Sequence, residues 1–168
     1  MAYPEFETER LRLRHWRESD VDPFLDFYRD PQSVAVYDSG DVTRSDVWRR
    51  VGLFIGHWTL RGYGPWALED RASGKFAGHG GLWFPDGWGD PELGWGVMPE
   101  FRGKGYAIEA AKCAREHGYR TLKLPRLVSY INPSNTASLR VAEKLGARKE
   151  GEFLLHGINH HVYLHSQY

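Results

Sequence analysis

Polar and apolar residues alternate over residues 10 to 16, Arg-Leu-Arg-Leu-Arg-His-Trp, most regularly from Arg10 to Arg14, the period-two pattern of a half-buried strand. After Ser19 or Asp20, either of which suits an N-cap, Val21, Phe24, Leu25 and Tyr28 recur at three- and four-residue spacing. They predict a helix that stops by Pro31. Within 41 to 61, Val47, Val51, Phe54, Ile55 and Trp58 repeat that spacing behind a Thr43 or Ser45 cap, with Gly62 and Gly64 to close the helix. From Pro65 the pattern predicts a hairpin: Trp66 to Glu69, a glycine-containing turn at Arg71 to Lys75, then Phe76 to Phe84. Pro85 to Pro91 is dense in turn formers, and Glu92 to Met98 reads as a strand ended by Pro99.

Residues 104 to 118 carry Ala107, Ala110, Ala111 and Ala114 on one stripe, with Gly118 where the helix would end. Side chains this small let a helix lie close to a sheet. Arg126 to Ile131 is a further strand, Asn135 to Leu145 a helix stopped at Gly146, and 147 to 155 and 160 to 165 two last strands. Strands alternating with helices imply a partly parallel, helix-covered sheet, and the hairpins make it mixed, so the fold class is α/β with a mixed sheet. The 168 residues fit one domain, 1–168.

Composition narrows the function. Lys and Arg number 22, as do Asp and Glu, so no basic excess exists to hold a nucleic acid. No apolar run approaches membrane-spanning length, and the start lacks the basic and apolar regions of a signal peptide. The single cysteine, Cys113, excludes a disulfide framework and a cysteine-based zinc site. A cytoplasmic protein without membrane or nucleic-acid partners is expected.

Just over half of the 19 glycines lie between Gly74 and Gly105, a region that therefore favours close backbone approach over side-chain packing. Its end, Arg102-Gly103-Lys104-Gly105-Tyr106-Ala107, runs from a strand straight into a helix, so free N–H groups and the helix dipole converge on an anion site. Arg102 and Lys104 add charge suited to phosphate. A P-loop would need glycine at 98 and Ser or Thr at 105, where this chain has Met98 and Gly105. A dinucleotide fold would need a small residue at Ile108 and an acidic residue on the next strand, and has neither.

The stretch resembles motif A of the GNAT superfamily of acyl-CoA-dependent N-acetyltransferases, Arg/Gln-x-x-Gly-x-Gly/Ala after a strand ending Val-x-Pro. Arg102, Gly105 and Ala107 fill it. Asn132-Pro-Ser-Asn135-Thr-Ala-Ser138, followed by Lys144-Leu-Gly146, looks like the family's Asn-x-x-Asn-x-x-Ser…Lys-x-Gly segment. The opening Thr8 to Arg14 and Asp20 look like the branch that includes the ribosomal-protein alanine acetyltransferases. The resemblance implies a mostly antiparallel sheet of about seven strands, flanked by about four helices. The sheet would splay between its fourth strand, 92 to 98, and its fifth, 126 to 131, with the pantetheine of acetyl-CoA in the gap and its pyrophosphate on the amides of 102 to 107.

It also implies direct attack by an amine, on a protein N-terminus or a small molecule, in a ternary complex. The backbone N–H of Val97 or Met98 would polarise the carbonyl, Ser138 would protonate the departing thiolate, and Asn132 and Asn135 would hold pantetheine or order the site. Glu92 shares its strand face with Gly94 and Gly96 and is the first candidate base; His79 is the second, and water a third. His156, His160, His161 and His165 suggest a metal only weakly, because strand alternation separates them, so no metal is expected. Trp83, Trp88 and Trp95 lie near the proposed site. A non-catalytic acyl-CoA-binding module, and either a monomer or a homodimer, remain compatible with these residues.

Overall fold

A computed structural model describes residues 3–37 and 39–167. Eight strands form one sheet: β1 (Phe6–Glu7), β2 (Leu11–Arg14), β3 (Pro65–Asp70), β4 (Phe76–Trp83), β5 (Glu92–Val97), β6 (Val128–Ile131), β7 (Arg148–Leu155) and β8 (Ile158–Leu164). Their order is β1-β2-β3-β4-β5-β6-β8-β7, and every pairing is antiparallel except β5 with β6. Five α-helices cover it: α1 (Val21–Arg29), α2 (Pro31–Tyr37), α3 (Arg44–Arg61), α4 (Tyr106–Glu116) and α5 (Thr136–Lys144). The expected mixed sheet and its splay are present, with one short strand and one helix more than expected. The extra strand is Phe6–Glu7, too short to show alternation, so the splay falls between the fifth and sixth strands rather than the fourth and fifth.

The helix ends show which local signals decided. Thr43 caps α3 by accepting from Asp46 N–H, and Asp46 reciprocates to Thr43 N–H at 3.0 Å; Gly62 closes the helix at φ 76°. Asp20 precedes α1 but makes no cap, because its carboxylate takes both Nη groups of buried Arg14 at 2.8 Å. Pro31 does stop α1, and then starts α2, since a proline lacks only the N–H that a first helical turn leaves unpaired. Gly118 does not end α4. The chain continues through a π-helical turn, His117–Thr121, and Gly118 is small because a Cβ there would sit 2.9 Å from Leu127 Cδ1.

Two cores lie on opposite faces of the sheet. One joins Leu68, Leu82, Leu93 and Val97 to Ala110, Ala111 and Ala114 of α4; the other joins Phe24, Phe27, Val51, Phe54 and Phe76 beneath α1 and α3. Among the described residues no helix is long and apolar enough to cross a membrane.

Candidate active site

Strand β5 pairs with β4 along its whole length, from Glu92 opposite Trp83 to Val97 opposite Gly78, but meets β6 at one rung only, Glu92 opposite Val128. Side chains stop the ladder there. Ser129 Oγ donates to Leu93 O at 2.5 Å, and Tyr130 N–H is taken by the Glu92 carboxylate. Behind Ser129, buried His165 bonds the same hydroxyl at 2.8 Å, and burial lowers its pKa to about 4, so it stays neutral. Beyond this rung the strands part.

The parting opens a cleft of about 340 Å³ whose lining includes Val97, Arg102, Gly103, Gly105, Tyr106, Ala107, Asn135 and Ser138. Most of the residues expected to serve the site thus meet in one place. Met98 N–H donates to Ala77 O at 2.9 Å; by antiparallel alternation Val97 N–H points the opposite way, into the gap. Of the two expected carbonyl donors, then, only Val97 is free.

The loop before α4 has the anticipated form. Gly103 and Gly105 lie at φ 72° and 85°, where only glycine rests without strain. The first main-chain bond of α4 runs from Glu109 N–H to Gly105 O, leaving the N–H groups of Tyr106, Ala107 and Ile108 at the positive end of the dipole. Arg10 supports the loop from behind: it donates to Lys104 O, pairs with Glu109 at 2.8 Å, and lies 4.8 Å above the Tyr106 ring.

The two loop cations do something other than expected. Arg102 donates from Nε to Val97 O at 3.0 Å, from Nη1 to Asp30 at 2.6 Å and from Nη2 to Ser33 Oγ at 3.1 Å, so its charge is spent joining α2 to the loop. Burial alone would raise the Asp30 pKa, and the bonds from Arg102 and Ser33 override it, holding it below its ordinary value. Lys104 turns outward and donates to Glu100 O. Uncommitted cations come instead from α5, where Arg140 and Lys144 line the cleft without an ion pair among the described residues.

Asn135 caps α5 by accepting from Ser138 N–H at 3.1 Å, which leaves the Ser138 hydroxyl facing the cleft without a protein partner among the described residues. Asn132 lies outside the cleft lining; its carboxamide accepts from Ser134 N–H and Oγ, and so orders the turn before α5.

Glu92 sits at the closed end of the parting. Burial raises its pKa to about 7, against the opposing bonds from Trp88 Nε1, at 2.8 Å, and from Tyr130 N–H. It does not line the 340 Å³ cleft itself. The space beside it is nevertheless open: a Cβ at Gly94 would meet only Glu92 Oε1, at 3.9 Å. His79 is a poor base by comparison, because it packs among Phe24, Phe27 and Phe54 and burial lowers its pKa to about 3. Among the described residues no three His, Cys, Asp or Glu side chains gather as a metal would require.

Tyr37, on the helix that the sequence pattern did not reveal, lines the cleft. The Val36-Tyr37 pair carried no periodic signal. The usable signal for Arg140 and Lys144 was their i, i+4 spacing on the face of Ser138 and Val141.

The acetyltransferase (GNAT) domain family matches residues 10–148 of this chain. The chain belongs to the GNAT family of acetyltransferases. It is 31% identical over 155 residues to the uncharacterized protein YkkB of Bacillus subtilis, covering 86% of each chain. A stretch of 62 residues is 42% identical to the uncharacterized N-acetyltransferase YnaD of the same organism, spanning 37% of this chain and 36% of that one. The fold of this GNAT chain superposes on the crystal structure of an acetyltransferase from Agrobacterium tumefaciens with a TM-score of 0.87 at 29% identity, over 99% of this chain and 96% of the other.

Proposed function

We propose that this acetyltransferase moves an acetyl group from acetyl-CoA to a primary amine by direct attack in a ternary complex. The observation that carries the reading is the parting of β5 and β6 after a single rung, with Val97 N–H and the amides of the following loop left without a partner among the described residues. Acetyl-CoA, bound there, supplies an activated thioester. The amides of residues 103 to 108, with Arg140 and Lys144, suit its phosphates; the gap suits an extended arm; and Val97 N–H points to where the carbonyl oxygen gains charge.

Glu92 is the base that takes the ammonium proton before the nitrogen attacks. A carboxylate titrating near 7 is about half ionised at neutral pH and still basic enough to accept it. Ser138 gives its hydroxyl proton to the sulfur as the carbon–sulfur bond breaks. Tyr37 is the second candidate for that step, because it lines the same cleft and a phenol is protonated at neutral pH.

The likeness of residues 8 to 14 to the ribosomal-protein alanine branch does not choose the acceptor. Thr8 and Arg10 bond Glu109 and the Lys104 carbonyl, so that segment serves the donor loop. A protein N-terminus and a small amine both remain within the reading.

Thiol release in the presence of acetyl-CoA and a panel of amines tests it. Saturable release with at least one amine is expected, and Ser138→Ala should lower kcat about 10²-fold with acetyl-CoA affinity unchanged. If Tyr37→Phe causes that loss and Ser138→Ala does not, the acid is Tyr37.

A further inference from the structure

Helix α2 forms one wall of the donor cleft through Ser33, Val36 and Tyr37, yet its sequence gives it little apolar anchorage. Ser33 is its one fully buried residue, and Tyr37 meets the rings of Phe27 and Tyr28 on α1 at 5.9 Å. The facing wall, α5, differs: buried Ala142 seats it in a core with Ile131 and Tyr163. A single residue, Asp30, joins α1 to α2. What ties α2 to the sheet side of the cleft is therefore polar.

Among the described residues, every hydrogen bond from α2 to the rest of the fold beyond α1 and Asp30 is made by Arg102. Besides its bonds to Asp30 and Ser33, Nη1 donates to Gln32 Oε1 at 3.2 Å, while Nε holds Val97 O at 3.0 Å. Asp30 in turn accepts from Ser33 N–H at 3.2 Å, so one carboxylate both caps α2 and holds the guanidinium. The pair is shielded, with side chains 24% and 17% exposed, and is more than a solvated surface contact. A rigid planar fork thus spans from the β5 residue whose N–H faces the gap to the first turn of α2. To serve a phosphate, Arg102 would have to loosen these bonds and leave a shielded carboxylate without its cation. The loop amides, with Arg140 and Lys144, can hold phosphates without it.

We propose that Arg102 is a positioning residue for the transfer and not a phosphate ligand: it fixes α2 at the distance from Val97 at which Val36 and Tyr37 close the cleft around the thioester arm. The proposal rests on the acetyl-transfer reading of this cleft. Asp30 is its partner in the same role.

Two donors separate this role from that of an anion ligand: acetyl-CoA, and S-acetylpantetheine, the same thioester arm without phosphates. Arg102→Lys keeps the charge and loses the fork, and kcat/KM should fall about tenfold with both donors. Asp30→Asn keeps a cap for Ser33 N–H but frees the guanidinium from its carboxylate, and should lower both values about threefold. A phosphate ligand predicts otherwise: a loss confined to acetyl-CoA in Arg102→Lys, and a gain with acetyl-CoA in Asp30→Asn as the freed cation turns to the anion. Either result overturns the proposal. The double variant should be scarcely slower than Arg102→Lys alone, because both changes break one contact, and multiplied losses overturn the proposal too. Limited proteolysis supplies a readout that needs no turnover. Chymotryptic cleavage after Tyr37 under native conditions should be about tenfold faster in Arg102→Lys, with cleavage elsewhere unchanged. Unchanged cleavage at Tyr37 overturns the proposal even where the rate falls. Faster cleavage there, in a protein whose wild type releases thiol with no amine, supports the clamp and counts against acetyl transfer instead.

Discussion

The two faces of β5 carry opposite kinds of residue. Leu93 and Val97 are buried against the alanines of α4, with Trp95 packed beside them. Glu92, Gly94 and Gly96 face the other way: a carboxyl kept half-protonated by burial, a position with open space above it, and a third where a Cβ would meet the His79 ring at 2.4 Å. Alternation lets one strand be both anchor and workbench. The apolar face contributes stability; the glycine face gives it up for room at Gly94, for the close approach of the His79 ring at Gly96, and for an unfavourably placed charge at Glu92. Substitutions on the two faces should therefore fail in different ways.

Glu92→Gln is the sharpest test and should have the largest effect, lowering kcat/KM by about 10² to 10⁴ while the protein stays folded; an unchanged rate would remove Glu92 from the chemistry. Leu93→Ala, one residue on and facing the other way, should cost about 2 to 5 kcal/mol of stability in denaturant titration, with acetyl-CoA affinity retained in the folded fraction. Gly94→Ala should fold normally, since its new methyl meets only Glu92 Oε1, yet reduce the amine kcat/KM about tenfold by occupying the approach. A loss of folding instead would show that this face is packed.

The smallest effect is on pH dependence, and its sign follows from the raised carboxyl. The unfolded chain ionises Glu92 near the ordinary value of 4.5 and the native state only near 7, so stability declines as pH rises between the two and is level above. Glu92→Gln removes that decline. Its melting temperature should exceed the wild type's by a larger margin at pH 8 than at pH 5. In activity, the wild-type kcat/KM should rise with pH through about 7, not through 4.5.

How far the sequence disclosed this arrangement depends on whether its cause is local. Thr43 and Asp46 cap α3 within four residues, and Gly103, Gly105 and Gly146 occupy left-handed positions, so these were legible. The fate of Arg102 was not, because its partners Asp30 and Ser33 lie some seventy residues earlier in the chain. Gly105 was readable as a glycine but not for its full reason. A Cβ there would come within 3.1 Å of Arg10 Nη2, so a side chain would push first on the support behind the loop. Helix α2 is too short to show a period, and Tyr37 was hidden with it. Glu92 stood out by its face; that its carboxyl ends the strand pairing requires knowing where Tyr130 lies.

The single rung between β5 and β6 also divides the sheet into a five-stranded and a three-stranded part. Amide hydrogen exchange should record the division as a comb. Along β5, the amides of Gly94, Gly96 and Met98 point to β4 and should be protected, while those of Trp95 and Val97 point into the gap and should exchange early despite lying mid-sheet. A ligand occupying the gap would slow the second set and leave the first as it was, giving a label-free record, residue by residue, of how deep the ligand lies.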